Sequence, residues 1–391
     1  MLNPSQRRLP LKGGFIIAAL IVGAGILSIE LGISTAVLEI AFGAILRNSL
    51  PLFGIGWDEF AGGGQWLETL SSVGLMAVMF MAGFETDLDL LRKNLKPSLK
   101  AGIPGFFAPF LVSGAIVYFL FGMNIGKAAL MAIALSTTSI ALIYAYLRER
   151  GLLDHKIGQL LLSTAMVMDI SSVLLLTAIY ANQGAQLALE IAIILVLFLI
   201  APALGHILFD RYKGNLIELE LRFLFLMLLG FTLLTHMTSV NEALVGFSLG
   251  VIMGRVLRRR EELTGKLSGV VFSMLAPVFF FVAGTRLEIT ALSPALTMKA
   301  LLLLVAVAGT KLLVSVAALT PKIPRPAARF AGMLFNYNLT FGIVAAHFGF
   351  VRGTISSSEY GVVLLVILAS AFIPTVFHRD VPRELDIQKS G

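Results

Sequence analysis

No cysteine occurs in these 391 residues, which excludes a disulfide scaffold and any thiolate-held metal. Charge is scarce as well: Asp, Glu, Lys and Arg together make up 14% of the chain, too little to cover a water-soluble domain of this size. Long polar stretches are also missing, so no soluble domain is expected between the apolar runs. What fills the chain instead is hydrophobic residues, 57% of the total, with a mean hydropathy of +0.90. Apolar stretches of about twenty residues recur from end to end, the length that crosses a bilayer as a helix.

The expected architecture is therefore an all-α polytopic membrane protein, one membrane domain over 1–391 with about thirteen spans. They fall near 14–31, 34–47, 66–85, 99–122, 127–147, 157–181, 185–208, 219–236, 241–257, 266–286, 298–320, 328–350 and 359–378. Arg7, Arg8 and Lys12 ahead of Phe15–Leu27 imitate a signal peptide, but no small-residue cleavage site with a polar segment behind it follows. That run reads as the first span. The net charge of +7 would suggest nucleic acid in a soluble protein. Here the basic residues border apolar spans, so membrane lipid is the expected partner and nucleic acid is not.

Loop charge sets the orientation. Loops after odd-numbered spans, with the C-terminal tail, hold 21 Lys and Arg, against 8 on the other side. The positive-inside rule then puts the N-terminus outside and the C-terminus in the cytoplasm of a bacterial-type inner membrane. The thirtieth basic residue, Lys311, falls in neither set because it lies in the middle of the eleventh span.

A short repeat appears. Phe80-Met81-Ala82-Gly83 closes the third span and Phe281-Val282-Ala283-Gly284 the tenth. From Gly83 to Thr138 is 55 residues and from Gly284 to Asn338 is 54, both downstream positions lying mid-span. Seven spans separate equivalent helices, so the halves run in opposite senses: an inverted repeat of 14–181 and 219–378, joined by a linking helix at 185–208. The midspan positions are polar in both halves, Ser136-Thr137-Thr138-Ser139 in one and Asn336, Asn338 and Thr340 in the other. Such clusters suit locally unwound helices whose free carbonyls line an ion site, or hydroxyls that bond their own helix and help it pack.

Asp169 sits at the centre of the sixth span. An ionised carboxylate there costs about 2.5–3.5 kcal/mol on insertion scales, so it is protonated, paired or holding a cation. A proton and a small cation competing for one carboxylate is the minimum chemistry of proton-coupled exchange. Lys311 lies about nine residues, roughly 13 Å, from the nearer end of its span, too deep to snorkel, and Asp169 is the acid at similar depth. The two are expected to pair. Glu39, Glu85 and Glu190 are weaker candidates, and His206, His236 and His347 are scattered and expected to be satisfied locally. No cofactor is expected.

At these residues the sequence resembles the monovalent cation:proton antiporter superfamily, in the branch of bacterial Na⁺/H⁺ antiporters and glutathione-gated K⁺ efflux systems. The matching stretches are Ala36–Leu46, Val78–Thr86, Leu135–Gly151, Met168-Asp169, Phe279–Gly284 and Gly309-Thr310-Lys311, in family order across nearly the whole chain. The resemblance implies a homodimer, with an interface panel and a six-helix core whose two discontinuous helices cross beside an ion-binding aspartate. It implies that Asp169 carries the proton and the cation (Na⁺, or Li⁺ or K⁺), that Thr138 and Ser139 lie at the first helix break, and that Lys311 is the core lysine. Alternating access would then exchange H⁺ for the cation. Relatives place Asp, Asn or Gln where this chain has Met168, and many have Arg-Gly-Glu at Asn336-Tyr337-Asn338. If Lys311 keeps its charge, exchange is electroneutral; if it loses its proton on ion binding, a net charge moves, at about 2.3 kcal/mol per 100 mV.

Other readings stay open: a K⁺/H⁺ exchanger or K⁺ efflux system, or a transport-inactive sensor. An enzyme is the rival from another class, because Gly246-Phe247-Ser248-Leu249-Gly250 matches the G-x-S-x-G nucleophile pattern. That pattern needs a strand-to-helix turn, whereas this copy falls in an apolar span and, with Gly254, forms a small-residue packing face.

Overall fold

The computed structural model describes residues 4–31, 33–61, 65–149, 152–153, 155–180, 218–238, 242–257, 261–287 and 293–377, with scattered positions between 188 and 211. Among the described residues the regular structure is entirely helical. In chain order the principal helices are α1 (Pro4–Leu31), α2 (Thr35–Ser49), α3 (Gln65–Glu85), α4 (Leu95–Ala115), α5 (Ile125–Ser136), α6 (Ile140–Glu149), α7 (Lys156–Tyr180) and α8 (Leu219–Thr238). They continue with α9 (Glu242–Leu257), α10 (Glu261–Val270), α11 (Ala276–Thr285), α12 (Pro294–Leu319), α13 (Arg325–Leu334), α14 (Leu339–Val351) and α15 (Ser357–Phe377). Nine stretches in the described residues are long and apolar enough to cross a membrane, with shorter apolar helices beside them. The chain is a multi-pass membrane protein.

Twelve of the thirteen expected spans coincide with these helices. Of the linking helix expected at 185–208, scattered residues are described and are helical; Glu190, His206 and the basic C-terminal tail lie outside the described residues. Two spans differ from simple rods, the fifth being split into α5 and α6 and the twelfth into α13 and α14. The tenth is continuous from α10 to α11 through a π-helical turn, Val271–Leu275. Short helices at Trp57–Phe60 and Leu88–Lys93 carry too little apolar periodicity to be seen in the sequence.

The chain divides into two compact units, one of residues 1–86 and 179–286, the other of 87–178 and 287–391. In the first unit helix pairs meet backbone to backbone. A β-carbon on Gly83 of α3 would lie 2.0 Å from the carbonyl oxygen of Phe247 on α9, and one on Gly250 of α9 would lie 1.9 Å from that of Phe80. The same reciprocal contact joins α2 to α11, Gly43 to Phe281 at 2.1 Å and Gly284 to Ile40 at 2.0 Å. Without a hydrophobic force between helices in lipid, such close approach is what dispersion and weak polar contacts can exploit. The G-x-S-x-G segment lies inside α9, and Gly246 and Gly250 face α3, so these glycines are packing residues and not a nucleophile turn.

The second unit carries six spans among its described residues: α4, the broken pair α5–α6, α7, α12, the broken pair α13–α14, and α15. Its apolar cluster joins Phe106, Ile143, Leu161, Met166 and Met168 to Ala328, Leu334 and Phe335. At one end, Lys127 Nζ bonds both oxygens of Glu359 at 2.8 and 3.0 Å, tying the start of α5 to the start of α15. At the lipid-facing surface, α12 exposes Val305 and Leu313 while burying Leu303, Val307, Lys311 and Ser315, one residue about every four.

Candidate ion-binding site

Breaking a helix at membrane depth leaves N–H and C=O groups with no water to satisfy them, so each break needs partners from protein. The α5 helix stops because Thr137 turns extended (φ −63°, ψ 171°), and α6 resumes at Ile140. The α13 helix stops at Leu334 and α14 resumes after Asn338.

The two breaks satisfy each other. Ser139 N donates to Tyr337 O at 2.5 Å. The Thr138 hydroxyl lies 3.1 Å from the carbonyl oxygens of both Phe335 and Tyr337. Asn338 Nδ2 donates to Leu135 O at 3.0 Å, while its Oδ1 accepts from Ser370 on α15 at 2.5 Å. Ser139 Oγ and Thr340 Oγ1 are 2.7 Å apart, and Ser136 Oγ closes back onto Ala132 O at 2.6 Å. Thr138, Ser139, Asn338 and Thr340 therefore do meet across the breaks, whereas Ser136 bonds within its own helix.

Lys311 completes the crossing. Its side chain is fully buried, and Nζ donates to Thr137 O at 2.5 Å and Phe335 O at 3.1 Å, one carbonyl from each break. The expected ion pair with Asp169 is not formed: no Asp169–Lys311 contact within 4.0 Å occurs among the described residues. The physical reason is competition. Two freed carbonyls at the point where half-helices end satisfy an ammonium without a second buried charge, and only backbone can supply them there.

Asp169 is 3% exposed on α7. Among the described residues its carboxylate has one hydrogen-bond partner, the Thr137 hydroxyl 3.4 Å from Oδ1, a long and weak contact. That hydroxyl also lies 3.3 Å from Ser172 Oγ, which donates to Asp169 O at 2.6 Å. Thr137 thus links the two charges, its side chain toward Asp169 and its carbonyl on Lys311. The residues expected to assist the carboxylate directly, Thr138 and Ser139, are engaged at the crossing instead, because the turn at Thr137 points successive side chains in different directions. Ser172 and Ser370 were not anticipated. Ser172 follows Asp169 by three residues on one helix face, a spacing that could have flagged it, whereas Ser370 carries no such signal.

Met168 is fully buried and turned onto α4, where a β-carbon on Gly105 would lie 3.2 Å from its Cε. It fills apolar space and offers no ligand to the site. Asn336 is 2% exposed; its Nδ2 donates to Gly332 O at 2.9 Å, but Oδ1 is buried with no hydrogen-bond partner. Ser315 Oγ, one turn beyond Lys311, is likewise buried and unpartnered. Elsewhere, Glu39 is buried in the other unit, and His236 is paired with Glu242 at 3.2 Å.

A midspan carboxylate with one weak partner lies beside two half-helices whose ends share a lysine, an arrangement that suits a small-cation site. The family pattern described as sodium/hydrogen exchanger, transmembrane, matches residues 16–379. The chain belongs to the sodium/hydrogen exchanger family. Among its relatives, a putative Na⁺/H⁺ antiporter, YjbQ, of Bacillus subtilis is 27% identical over 379 residues, covering 91% of this chain and 60% of its own length. A probable Na⁺/H⁺ antiporter of Methanocaldococcus jannaschii is 25% identical, with 80% of this chain and 83% of its own covered. The chain thus spans about three-fifths of the Bacillus relative. The solved sodium proton antiporter MjNhaP1 of M. jannaschii, at pH 8, shares the fold of this chain with a TM-score of 0.66 at 14% identity, over 94% of this chain and 95% of that one.

Proposed function

We propose that this exchanger-family chain is a secondary antiporter that trades H⁺ for a monovalent cation, Na⁺ first among them, at Asp169. The observation that carries this reading is the isolation of that carboxylate: buried at midspan, it has a single weak hydroxyl partner and no cationic one among the described residues. A group so placed is neutralised by a proton or by a hard monovalent cation, and not by both at once. Asp169 and Thr137 Oγ1 supply the first oxygens. The relatives named as Na⁺/H⁺ antiporters support the choice of ions.

Access alternates between the two sides of a bacterial inner membrane, with the N-terminus outside and a homodimer as the working form. Two inverted repeats, 14–181 and 219–378, account for the paired breaks. They also account for the symmetric glycine contacts, since pairing the third span with the ninth mirrors pairing the tenth with the second. On this reading Lys311 keeps its proton, because its ammonium is held by two backbone carbonyls and not by the carboxylate that exchanges ions. One proton then exchanges for one cation and no net charge moves.

The test is exchange in proteoliposomes with an internal pH dye. Adding Na⁺ outside acid-loaded vesicles is expected to raise internal pH, with Li⁺ and K⁺ ranking its selectivity. The rate is expected to be the same at clamped potentials of 0 and about −100 mV, where a moving charge would feel about 2.3 kcal/mol. A rate that follows potential would overturn one-for-one exchange, and silence toward all three ions would overturn antiport.

A further inference from the structure

A second concentration of charge lies at the end of the same unit, on the helices that carry Asp169 and Lys311. Lys156 opens α7 thirteen residues before Asp169, about 20 Å away along the axis. Lys322 lies three residues beyond the end of α12. Between them is a cavity of about 600 Å³, lined also by Asn94, His155 and Pro324. That volume is within the range of sites for small organic ligands.

Three features give the cavity one sign. Lys156 and Lys322 are exposed in it, and neither has a carboxylate within 4.0 Å among the described residues. Two helices begin on its lining, α7 at Lys156 and α13 just after Pro324, so their N-terminal amides add partial positive charge. His155 Nδ1 accepts from Ile157 N at 3.2 Å, which fixes the start of α7 on this lining. The segments that supply the lining, 87–100, 148–156 and 320–329, contain ten Lys and Arg against four Asp and Glu. Leu160 and Ile323 add apolar wall, which suits an anion carried on an organic body.

We propose that this cavity is a binding site for a phosphate group, presented by a soluble phosphate compound or by the headgroup of an anionic lipid. Ammonium groups and helix N-termini are the donors that recognise phosphate oxygens, and here they converge from two chain segments, 155–157 and 322–325, on one cavity. An occupant would bridge the ends of α7 and α12. In the orientation proposed above, all three lining segments face the cytoplasm.

The test measures thermal unfolding of the full chain. In one arm, protein in phosphatidylcholine nanodiscs is titrated with Tris pyrophosphate, against Tris chloride at matched ionic strength. In the other, nanodiscs containing phosphatidic acid are compared with pure phosphatidylcholine. A melting temperature that rises with the logarithm of pyrophosphate concentration identifies a soluble ligand. A rise with phosphatidic acid alone identifies the lipid. In either case the Lys156→Gln/Lys322→Gln variant is expected to lose the shift while keeping its unliganded melting temperature and its cation exchange. If that variant folds poorly, each single substitution should weaken the response at least tenfold in concentration. Asp169→Asn protein should keep the response, so failure of the antiport reading and failure of this one are separable. No response in either arm beyond matched salt, or an undiminished response in both single variants, overturns the proposal.

Discussion

Asp169→Asn is expected to reduce cation-driven proton movement to the level of empty liposomes, while the protein purifies and melts as before. The two halves of that expectation come from different physics. Asparagine has the shape of aspartate, and its Oδ1 can still accept from Thr137 Oγ1, so the packing of α7 against the first break survives. What it cannot do is exchange a proton for a metal ion, because the amide carries no titrating charge. Since Lys311 bonds backbone carbonyls and not the carboxylate, removing the negative charge strands no partner. Had the two formed a buried ion pair, deleting one side would have cost about 3–5 kcal/mol and confounded the experiment. Intact folding with lost exchange assigns the carrier; robust exchange by the variant removes Asp169 from the mechanism.

Gly250→Leu should damage the fold more than any conservative change at the ion site. Even a methyl group at that position would sit 1.9 Å from a main-chain oxygen, and main chain in a packed helix pair cannot rotate aside as a side chain can. Overpacking commonly costs about 1–3 kcal/mol, and a clash with backbone on both helices belongs at or beyond the upper end. Loss of the monodisperse peak, or a melting temperature many degrees lower, is the expected outcome. Gly230→Ala on α8 is the matched control, because nothing lies within 4 Å of the added carbon and alanine favours helix by about 1 kcal/mol. That variant should melt at or above the parent; equal melting of Gly250→Leu and Gly230→Ala would refute the backbone contact.

Much of this architecture could be read from the residues because the bilayer allows few solutions. Runs of twenty apolar residues must be helices, so the expected spans lie close to the observed helices, except that the first helix begins at Pro4, well before the expected start at 14. The breaks were legible through composition, since Ser136–Ser139 and Asn336–Asn338 put polar side chains where an intact helix has no use for them. What the breaks bind was not legible. Lys311 was matched to Asp169 because both are conspicuous in the sequence, whereas its partners, the carbonyls of Thr137 and Phe335, belong to the backbone and carry no letter. The same limit applies among Thr137, Thr138 and Ser139. Three adjacent hydroxyls look alike in sequence, and only the extended turn at Thr137 sends one of them to Asp169.

The lysine at the crossing also bears on leak. Exposed carbonyls at the ends of broken helices are what a channel uses to pass dehydrated monocations in single file. Here two of those oxygens accept from Lys311, a group that cannot leave because it is covalently part of α12. A continuous row of vacant oxygens across the crossing is thereby interrupted, and the ammonium repels any free cation that approaches it. On the antiport reading, the tethered charge keeps the proton gradient from being short-circuited between turnovers.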